Sequence, residues 1–373
     1  MNGKYTHKTF SNYDMVKQLG DSKKSIFLAG GTSEKIEVSE YNDLELFDLF
    51  NYYEDTKGNF NLRRAYQKKC ISNQFLNIDN VLVTSGATAA IYMTLKTFVK
   101  NGESIGLFYP CWSLYSSICN QLDIKIKKCS LDVEKKLRFD VRDVEQIFNS
   151  NIKAILLANP SNPTGHFLEE DSIKKLIELS NKKNVLLIID ETYFGLSEKD
   201  DESFLDYVEN LNNIIIIRSL SKYYRSPGIR IGFAITSVDK VNKLHETARN
   251  MYLGPSSLSQ KIGLELIKRI DSNWHLEICK KNLEKLVALE KEMPNLKLIY
   301  PDIFFFCCFQ IIDSKGMNIS TEKIFENTKI ILRDAEDFNL KGFQRINLCV
   351  DEETMDIIVN RIKIFKEDIC IIK

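Results

Sequence analysis

Several features that would assign a chain to a common protein class are missing from this sequence. The 51 Lys and Arg residues equal the 51 Asp and Glu residues, so no net charge favours nucleic acid or a membrane surface. No apolar run approaches the roughly 18 residues of a membrane span, and the first residues do not resemble a secretory signal. We therefore expect a cytoplasmic protein that binds small molecules, with no nucleic-acid or membrane partner.

Cysteine and histidine are present without the spacing that metal sites need. The nine cysteines include no CxxC pair, and the four histidines form no cluster with them. An odd number of cysteines, without the spacing of a disulfide framework, fits a reducing compartment. We expect no metal site, and we interpret the histidines as structural or surface residues.

The sequence does contain a regular alternation of short apolar runs and longer amphipathic stretches. Continuous apolar runs suit strands that are covered on both faces, and strands that alternate with helices predict a mainly parallel sheet. Seven strands are predicted, at 81–84, 104–108, 124–127, 154–158, 185–190, 214–218 and 231–235. We expect an α/β fold whose large domain, residues 45–255, holds a mainly parallel seven-stranded sheet.

After about Pro255 the pattern changes. A long helical stretch at 258–290 precedes strand candidates at 296–300, 304–312 and 345–350, with helices at 321–328 and 352–365. This order indicates a smaller α+β domain. The first 44 residues are too few for a domain of their own, so residues 1–44 and 256–373 are assigned to it together.

Two segments that follow predicted strands have the composition of ligand-binding loops. In residues 84–88, Gly86 lets the backbone approach a phosphate, and the helix that begins there offers free N–H groups. In residues 158–165, prolines stiffen the loop and fix Asn162 at the edge of the sheet. Because ligands of open parallel sheets bind at the carboxyl ends of strands, we expect both segments at one site.

Two further segments place reactive side chains at the same edge. Asp190 ends an apolar strand, where a carboxylate is costly unless it is paired; a protonated pyridine nitrogen would be a suitable partner. Lys222 follows another strand, eight residues before Arg230. Burial and a neighbouring cation lower the pKa of an amine, so this lysine can attack an aldehyde.

The surroundings of Lys222 suit a phosphorylated aldehyde. Ser219, Ser221 and Arg230 could hold a phosphate dianion beside the amine. A lysine that forms a Schiff base next to a phosphate anchor is what pyridoxal 5'-phosphate (PLP) requires. The sequence therefore indicates PLP as the cofactor.

In their order and spacing, the four segments resemble the fold-type-I PLP enzymes, specifically the class I/II aminotransferases, over most of the chain. The resemblance implies that Lys222 forms the Schiff base and shuttles the proton, while Asp190 pairs with the pyridine nitrogen. It implies that Tyr193 and Asn162 hydrogen-bond the phenolic oxygen of the cofactor. The residues implied to hold the phosphate are Ala87, Thr88, Ser219 and Arg230, and Gly86 and Ser221 are also expected to bind the cofactor.

The same resemblance covers residues outside those segments. Trp112 is placed where the family has an aromatic side chain stacked on the cofactor ring. Tyr53 is implied to reach the phosphate of a neighbouring subunit, which implies a homodimer with shared active sites. Arg345 is similar to the family's substrate-carboxylate arginine, and Gly31 and Asn162 are placed near the substrate.

The resemblance implies an aminotransferase that moves an amino group between an amino acid and a 2-keto acid. Residues 30–34 and Arg225 differ from those that the family usually has at these positions. These differences leave a second reaction type open, that of a PLP-dependent lyase, cyclase, decarboxylase or oxidase, as in capreomycidine synthase. A PLP-dependent transcription regulator would carry an added DNA-binding domain, and no basic helix-turn-helix is legible in the first 100 residues.

Overall fold

The computed structural model describes residues 26–27, 54–71, 75–133, 141–197, 203–270 and 274–370. These residues divide into two compact units. We call the described residues between 54 and 270, apart from 163–165, the large unit, and residues 26–27, 163–165 and 274–370 the small unit. The domain limits at 45–255, and at 1–44 with 256–373, stay a prediction.

The large unit is built on a seven-stranded sheet. In spatial order its strands are β2 (Val81–Thr84), β8 (Gly232–Ile235), β7 (Ile214–Ser219), β6 (Leu186–Asp190), β5 (Ala154–Ala158), β3 (Ser104–Tyr109) and β4 (Lys125–Ser130). Strands β3 to β7 run parallel to one another, whereas β8 is antiparallel to both of its neighbours. The prediction of a mainly parallel seven-stranded sheet is therefore confirmed.

Alternate residues of the central strands enter two different cores. Ile155 and Leu157 belong to one apolar cluster, while Ala154 and Leu156 belong to another. This is the result of the two-residue period of a strand, which sends successive side chains to opposite faces. The sheet thus has a core on each face, which explains why its strands read as continuous apolar runs.

Seven helices of the large unit connect or flank the strands. They are α1 (Phe60–Cys70), α2 (Ala87–Phe98), α3 (Ser113–Gln121), α4 (Val141–Phe148), α5 (Glu170–Lys183), α6 (Val238–Tyr252) and α7 (Ser257–Arg269). Local chemistry sets their ends. The Asn59 side chain accepts a hydrogen bond from the backbone N–H of Leu62 at the start of α1, and Asn184 ends α5 in the left-handed conformation with φ 52°.

The small unit combines helices with an antiparallel sheet. Its helices are α8 (Trp274–Glu292), α9 (Thr321–Thr328) and α10 (Glu352–Cys370). Its four-stranded sheet has the order β12 (Arg333–Asp334), β13 (Gln344–Asn347), β10 (Phe306–Ile311) and β9 (Leu296–Ile299), and a separate parallel pair joins β1 (Ile26–Phe27) to β11 (Ile330–Ile331).

The prediction of one continuous helix at 258–290 is wrong. The chain forms two helices there, because Ile270 takes an extended conformation with φ −86° and ψ 118° and ends α7. Apolar residues recur on both sides of the break, so the pattern did not reveal it. Among the described helices, none is long and apolar enough to cross a bilayer.

Candidate active site

The carboxyl ends of β5, β6 and β7 lie side by side at one edge of the large sheet. Ala158 is paired with Asp190, and Asp190 with Ile217. The backbone ladder continues past the strand ends, since the N–H of Asn159 donates to the carbonyl of Asp190 over 3.0 Å. The loops that carry Asn162 and Lys222 therefore leave the sheet at the edge where Asp190 lies.

The carboxylate of Asp190 is buried and held at both oxygens. Oδ1 accepts from the backbone N–H of Thr192 over 3.0 Å and from the Thr192 hydroxyl, while Oδ2 accepts from the Tyr115 hydroxyl over 2.6 Å. Burial raises the pKa of the Asp190 carboxyl, and these hydrogen bonds and the charge of Lys222 oppose that shift. Such a carboxylate is well placed to pair with one further cation.

Lys222 lies within electrostatic reach of Asp190. Its ammonium nitrogen is 5.7 Å from the ring centroid of Tyr193, whose side chain is buried. The structure thus brings together the three residues that the sequence predicts to be catalytic. Asn162, predicted to bind both cofactor and substrate, is also buried in the large unit.

The predicted phosphate-binding residues form a cradle at the start of α2. Gly86 has φ 84°, and a Cβ added to it would collide with the guanidinium of Arg230. Glycine at this position therefore lets the backbone and that guanidinium approach each other. Ala87 and Thr88 are the first two residues of α2, where free N–H groups and the helix dipole favour an anion.

Two serines lie at the end of β7. The Ser219 hydroxyl donates to Ser221 Oγ over 2.8 Å and also accepts from the backbone N–H of Ser221 over 3.0 Å. Arg230 is exposed, and its guanidinium donates to the carbonyl of Pro227 over 2.8 Å. These residues fit a phosphate, because hydroxyl donors and a guanidinium lie near a helix N-terminus.

The predicted stacking residue, Trp112, directly precedes α3 and is half-buried. Its ring makes an edge contact with Tyr115, at 5.9 Å between centroids and 77° between planes. Arg345 lies on β13 of the small unit, where its side chain is buried. Tyr53 and Gly31 lie outside the described residues.

Sequence reasoning missed Tyr115 and Thr192, the two residues that hold Asp190. The signal for Tyr115 was its place one helical turn after Trp112. It also missed a buried ion pair on the adjacent residues: Arg218 donates to Glu191 through Nε over 2.9 Å, with both side chains almost fully buried. Two opposite charges at the ends of neighbouring apolar strands could have indicated that pair.

Comparisons with known proteins agree with this geometry. The family model described as aminotransferase class I and II matches residues 30–362. The chain is 24% identical over 318 residues to an aspartate aminotransferase of Thermotoga maritima, covering 84% of this chain and 83% of that one. It is 28% identical over 298 residues to a histidinol-phosphate aminotransferase of Buchnera aphidicola, covering 78% and 80%.

Solved structures with the same fold are also found. The crystal structure of an aspartate aminotransferase from Thermotoga maritima superposes with a TM-score of 0.85 at 23% identity and covers 98% of each chain. An aspartate aminotransferase from Thermus thermophilus, solved with maleate, gives a TM-score of 0.84 at 18% identity, covering 97% of this chain and 99% of that one. The fold predicted from the sequence is therefore confirmed.

Proposed function

Since this chain belongs to the class I and II aminotransferase family, we propose that Lys222 is the residue that holds PLP through a Schiff base. The protein is a PLP-dependent aminotransferase, which moves an amino group between an amino acid and a 2-keto acid. The observation that supports the assignment of Lys222 is its position: its Nζ is 5.7 Å from the ring centroid of Tyr193, and it follows the strand that pairs with Asp190. An amine and a buried acid at the carboxyl edge of one sheet match the two ends of the PLP ring.

The described residues fit the cofactor. Gly86 has no side chain where Arg230 approaches, so the start of α2 and the guanidinium can face a phosphate together. Asp190 is buried and already restrained, so it can pair with a pyridine nitrogen without further ordering. When bound, PLP supplies an aldehyde that condenses with amines and a cationic ring that withdraws electrons from the substrate carbon.

The roles of the protein side chains follow from these positions. Asp190 keeps the proton on the ring nitrogen, because a buried carboxylate favours a cation beside it. Lys222 would hold the cofactor through its amine and would serve as the base that removes the proton from the substrate carbon and returns it. Tyr193 and Asn162 hydrogen-bond the phenolic oxygen of the cofactor in this proposal, and Trp112 covers the ring face.

Arg345 is proposed to grip the carboxylate of the substrate. Its side chain is buried, and its Cζ is 5.0 Å from the ring centroids of both Phe306 and Phe338. Two aromatic neighbours restrict the guanidinium plane, which favours bidentate binding of a carboxylate. Directly opposite on β12, Arg333 is paired with Asp337 over 2.8 Å.

Asp337 balances the charge of Arg333, the residue that faces Arg345 across the two strands. Aspartate, named for the first of the relatives above, carries carboxylates of the kind that Arg345 could bind. We propose an amino acid and a 2-keto acid as the substrates, each bound through its carboxylate, with Gly31 and Asn162 nearby.

We also propose that the protein is a cytoplasmic homodimer with shared active sites. Phe60, Met251 and Leu253 are about half exposed, and the turn that contains Leu253 packs at Gly254 against Thr56 near the start of α1. Neighbouring exposed apolar side chains favour burial against another chain. Tyr53, just before this segment, is proposed to reach the partner's phosphate site. Sedimentation of the purified protein tests the dimer, and fractionation of cells tests the location.

The assignment of Lys222 is tested by reducing the holoenzyme with borohydride and mapping the modified peptide. We expect the cofactor mass on Lys222, and none on this peptide in Lys222→Ala. Lys240→Ala is the matched control, because the Lys240 amine donates to the backbone carbonyl of Asn212, away from the site. A cofactor mass on another lysine in the unmodified protein, or normal turnover in Lys222→Ala, would contradict the assignment.

The reaction type has its own test. With one amino acid and no keto acid, an aminotransferase converts its bound cofactor once and then stops until a keto acid is added. A lyase, cyclase, decarboxylase or oxidase continues to turn over the amino acid without a keto acid. Absorbance of the bound cofactor, followed while each substrate is added in turn, separates these outcomes.

A further inference from the structure

A cavity of about 350 Å³ lies in the large unit, beside the carboxyl-terminal end of α1. Three of the side chains that line it, those of Cys70, Phe194 and Tyr223, are half-buried. Small-molecule sites in proteins start at about 300 Å³ and are lined mainly by apolar and aromatic groups, with a few polar ones. The cavity therefore has room for one small ligand.

Four aromatic side chains line the cavity, those of Tyr66, Phe194, Tyr223 and Tyr224. The rings of Tyr223 and Tyr224 meet edge to face, at 4.8 Å between centroids and 72° between planes. Gly195 has φ 89°, and a Cβ added to it would lie 2.4 Å from the Tyr223 ring, so glycine lets that ring lie against the backbone. Rings held in this way offer stacking and edge contacts to a planar ligand.

The cavity lies on the other face of the large sheet from the side chain of Asp190. Successive residues of a strand face opposite sides, and Glu191, the residue after Asp190, lines the cavity. Tyr224 belongs to the apolar cluster of this face, whereas Tyr115, which binds Asp190, belongs to the cluster of the other face. Among the described residues predicted to bind PLP, only Ser219 also lines the cavity. A ligand in it would therefore not take the place of the cofactor.

The charges around the cavity favour an anion. Its charged lining residues are Lys68, Lys69, Glu191 and Arg218. Glu191 and Arg218 balance each other in a buried ion pair, which leaves the positive charges of the two exposed lysines at the mouth. The Lys69 ammonium is held there, because it donates to two backbone carbonyls at the end of α7 over 2.9 and 2.8 Å. Cations at the mouth of an aromatic cavity attract a negatively charged group.

We propose that this cavity is a second small-molecule site, separate from the proposed cofactor site, that binds a planar aromatic carboxylate. The ring of the ligand lies against Phe194 and Tyr223, and its carboxylate lies at the mouth near Lys68 and Lys69. The site does not depend on PLP or on the reaction type, so its failure would leave the proposed function unchanged.

Titration of the holoenzyme with 2-naphthoate, followed by ligand-observed NMR, tests the site. We expect a dissociation constant on the order of 0.1–1 mM, from the affinity per atom that is typical of small ligands. The neutral analogue 2-naphthamide should bind at least about threefold more weakly, because it lacks the charge that the lysines attract. A carboxylate could also bind at Arg345, so the titration is repeated with Arg345→Met, in which the affinity should be unchanged.

Two pairs of variants locate the bound probe. Cys70→Phe fills the cavity and should abolish binding, whereas Cys70→Ser keeps the space and should bind like the unmodified protein. Lys68→Glu reverses a charge at the mouth and should raise the dissociation constant about threefold or more. Its matched control is Lys182→Glu, because Lys182 is exposed in the last turn of α5 and does not line the cavity.

A second readout uses the unmodified protein and does not require Cys70→Phe to fold. Bound 2-naphthoate should slow the alkylation of Cys70 by iodoacetamide, measured as the mass of the peptide that contains it, because the ligand covers the thiol. Burial raises the pKa of the Cys70 thiol, so the reaction is run at about pH 8.5.

Several results would overturn the proposal. They are no binding of 2-naphthoate up to about 5 mM, binding that is lost in Arg345→Met, and alkylation of Cys70 at the same rate with and without the probe. Equal affinity in Cys70→Phe and Cys70→Ser would also overturn it. Equal affinity in Lys68→Glu and Lys182→Glu, with 2-naphthamide bound as tightly as 2-naphthoate, would overturn the choice of an anion.

Discussion

The buried ion pair between Glu191 and Arg218 should contribute strongly to the stability of the large unit. Glu191 is fully buried and accepts hydrogen bonds from Arg218 Nε over 2.9 Å, from the Ser203 hydroxyl over 2.9 Å and from the backbone N–H of Phe204 over 2.9 Å. Arg218 also donates to the backbone carbonyl of Cys70. The pair thus connects the ends of β6 and β7 to two neighbouring segments.

Arg218→Met removes the cation and leaves a carboxylate that keeps two donors but has lost its counter-charge. Breaking a buried pair in this way typically costs about 3–5 kcal/mol. Arg218→Met with Glu191→Gln removes both charges and keeps an acceptor for Ser203 and Phe204, so we expect at least about 2 kcal/mol of the loss to be recovered. The half-exposed pair of Arg269 with Glu265 gives the control, in which Arg269→Met should cost about 1 kcal/mol or less.

The stability lost in Arg218→Met should also depend on pH. Burial raises the pKa of the Glu191 carboxyl, and the charge of Arg218 opposes that shift, so its removal should raise the pKa further. When the folded-state pKa exceeds the unfolded one, the folded state binds more protons between the two values, and stability falls as pH rises through that window. The deficit of Arg218→Met should therefore be larger at about pH 8 than at about pH 5.

Urea unfolding followed by circular dichroism, at one protein concentration, measures these differences in the free energy of unfolding. The reasoning is refuted if Arg218→Met costs no more than Arg269→Met. It is also refuted if the deficit of Arg218→Met is the same at both pH values, since an unpaired buried carboxylate must titrate.

Two more substitutions test local features. Gly86→Ala and Gly102→Ala both place a side chain at positive φ, at a cost of about 1–3 kcal/mol, but only the first collides with Arg230. PLP titration should show weaker binding in Gly86→Ala alone; equal affinities would contradict the phosphate cradle. Asn184→Ala should lower the urea-derived stability by about 1–2 kcal/mol because φ is 52°, whereas Asn184→Gly should be nearly neutral; equal losses would argue against a left-handed end of α5.

Much of the candidate site could be predicted because it lies where strands end. Asp190 and Lys222 each follow a continuous apolar run, and parallel strands bring such positions to one edge. The roles of Arg345, Tyr53 and Trp112 came from resemblance to a family, since no local pattern separates them from ordinary surface or core residues. The long helix at 258–290 was predicted wrongly because periodicity continues across a break in backbone conformation.

The sequence by itself determined the sheet and the edge at which the candidate site lies, because side-chain period and strand order are encoded in neighbouring residues. Only the tertiary structure decided which groups restrain Asp190 and which charge balances Glu191. Tyr115 and Asp190 are 75 positions apart, and Arg218 is 27 positions from Glu191. Hydrogen bonds and ion pairs act over a few ångströms, so contacts of this kind exist only once folding has brought distant segments together.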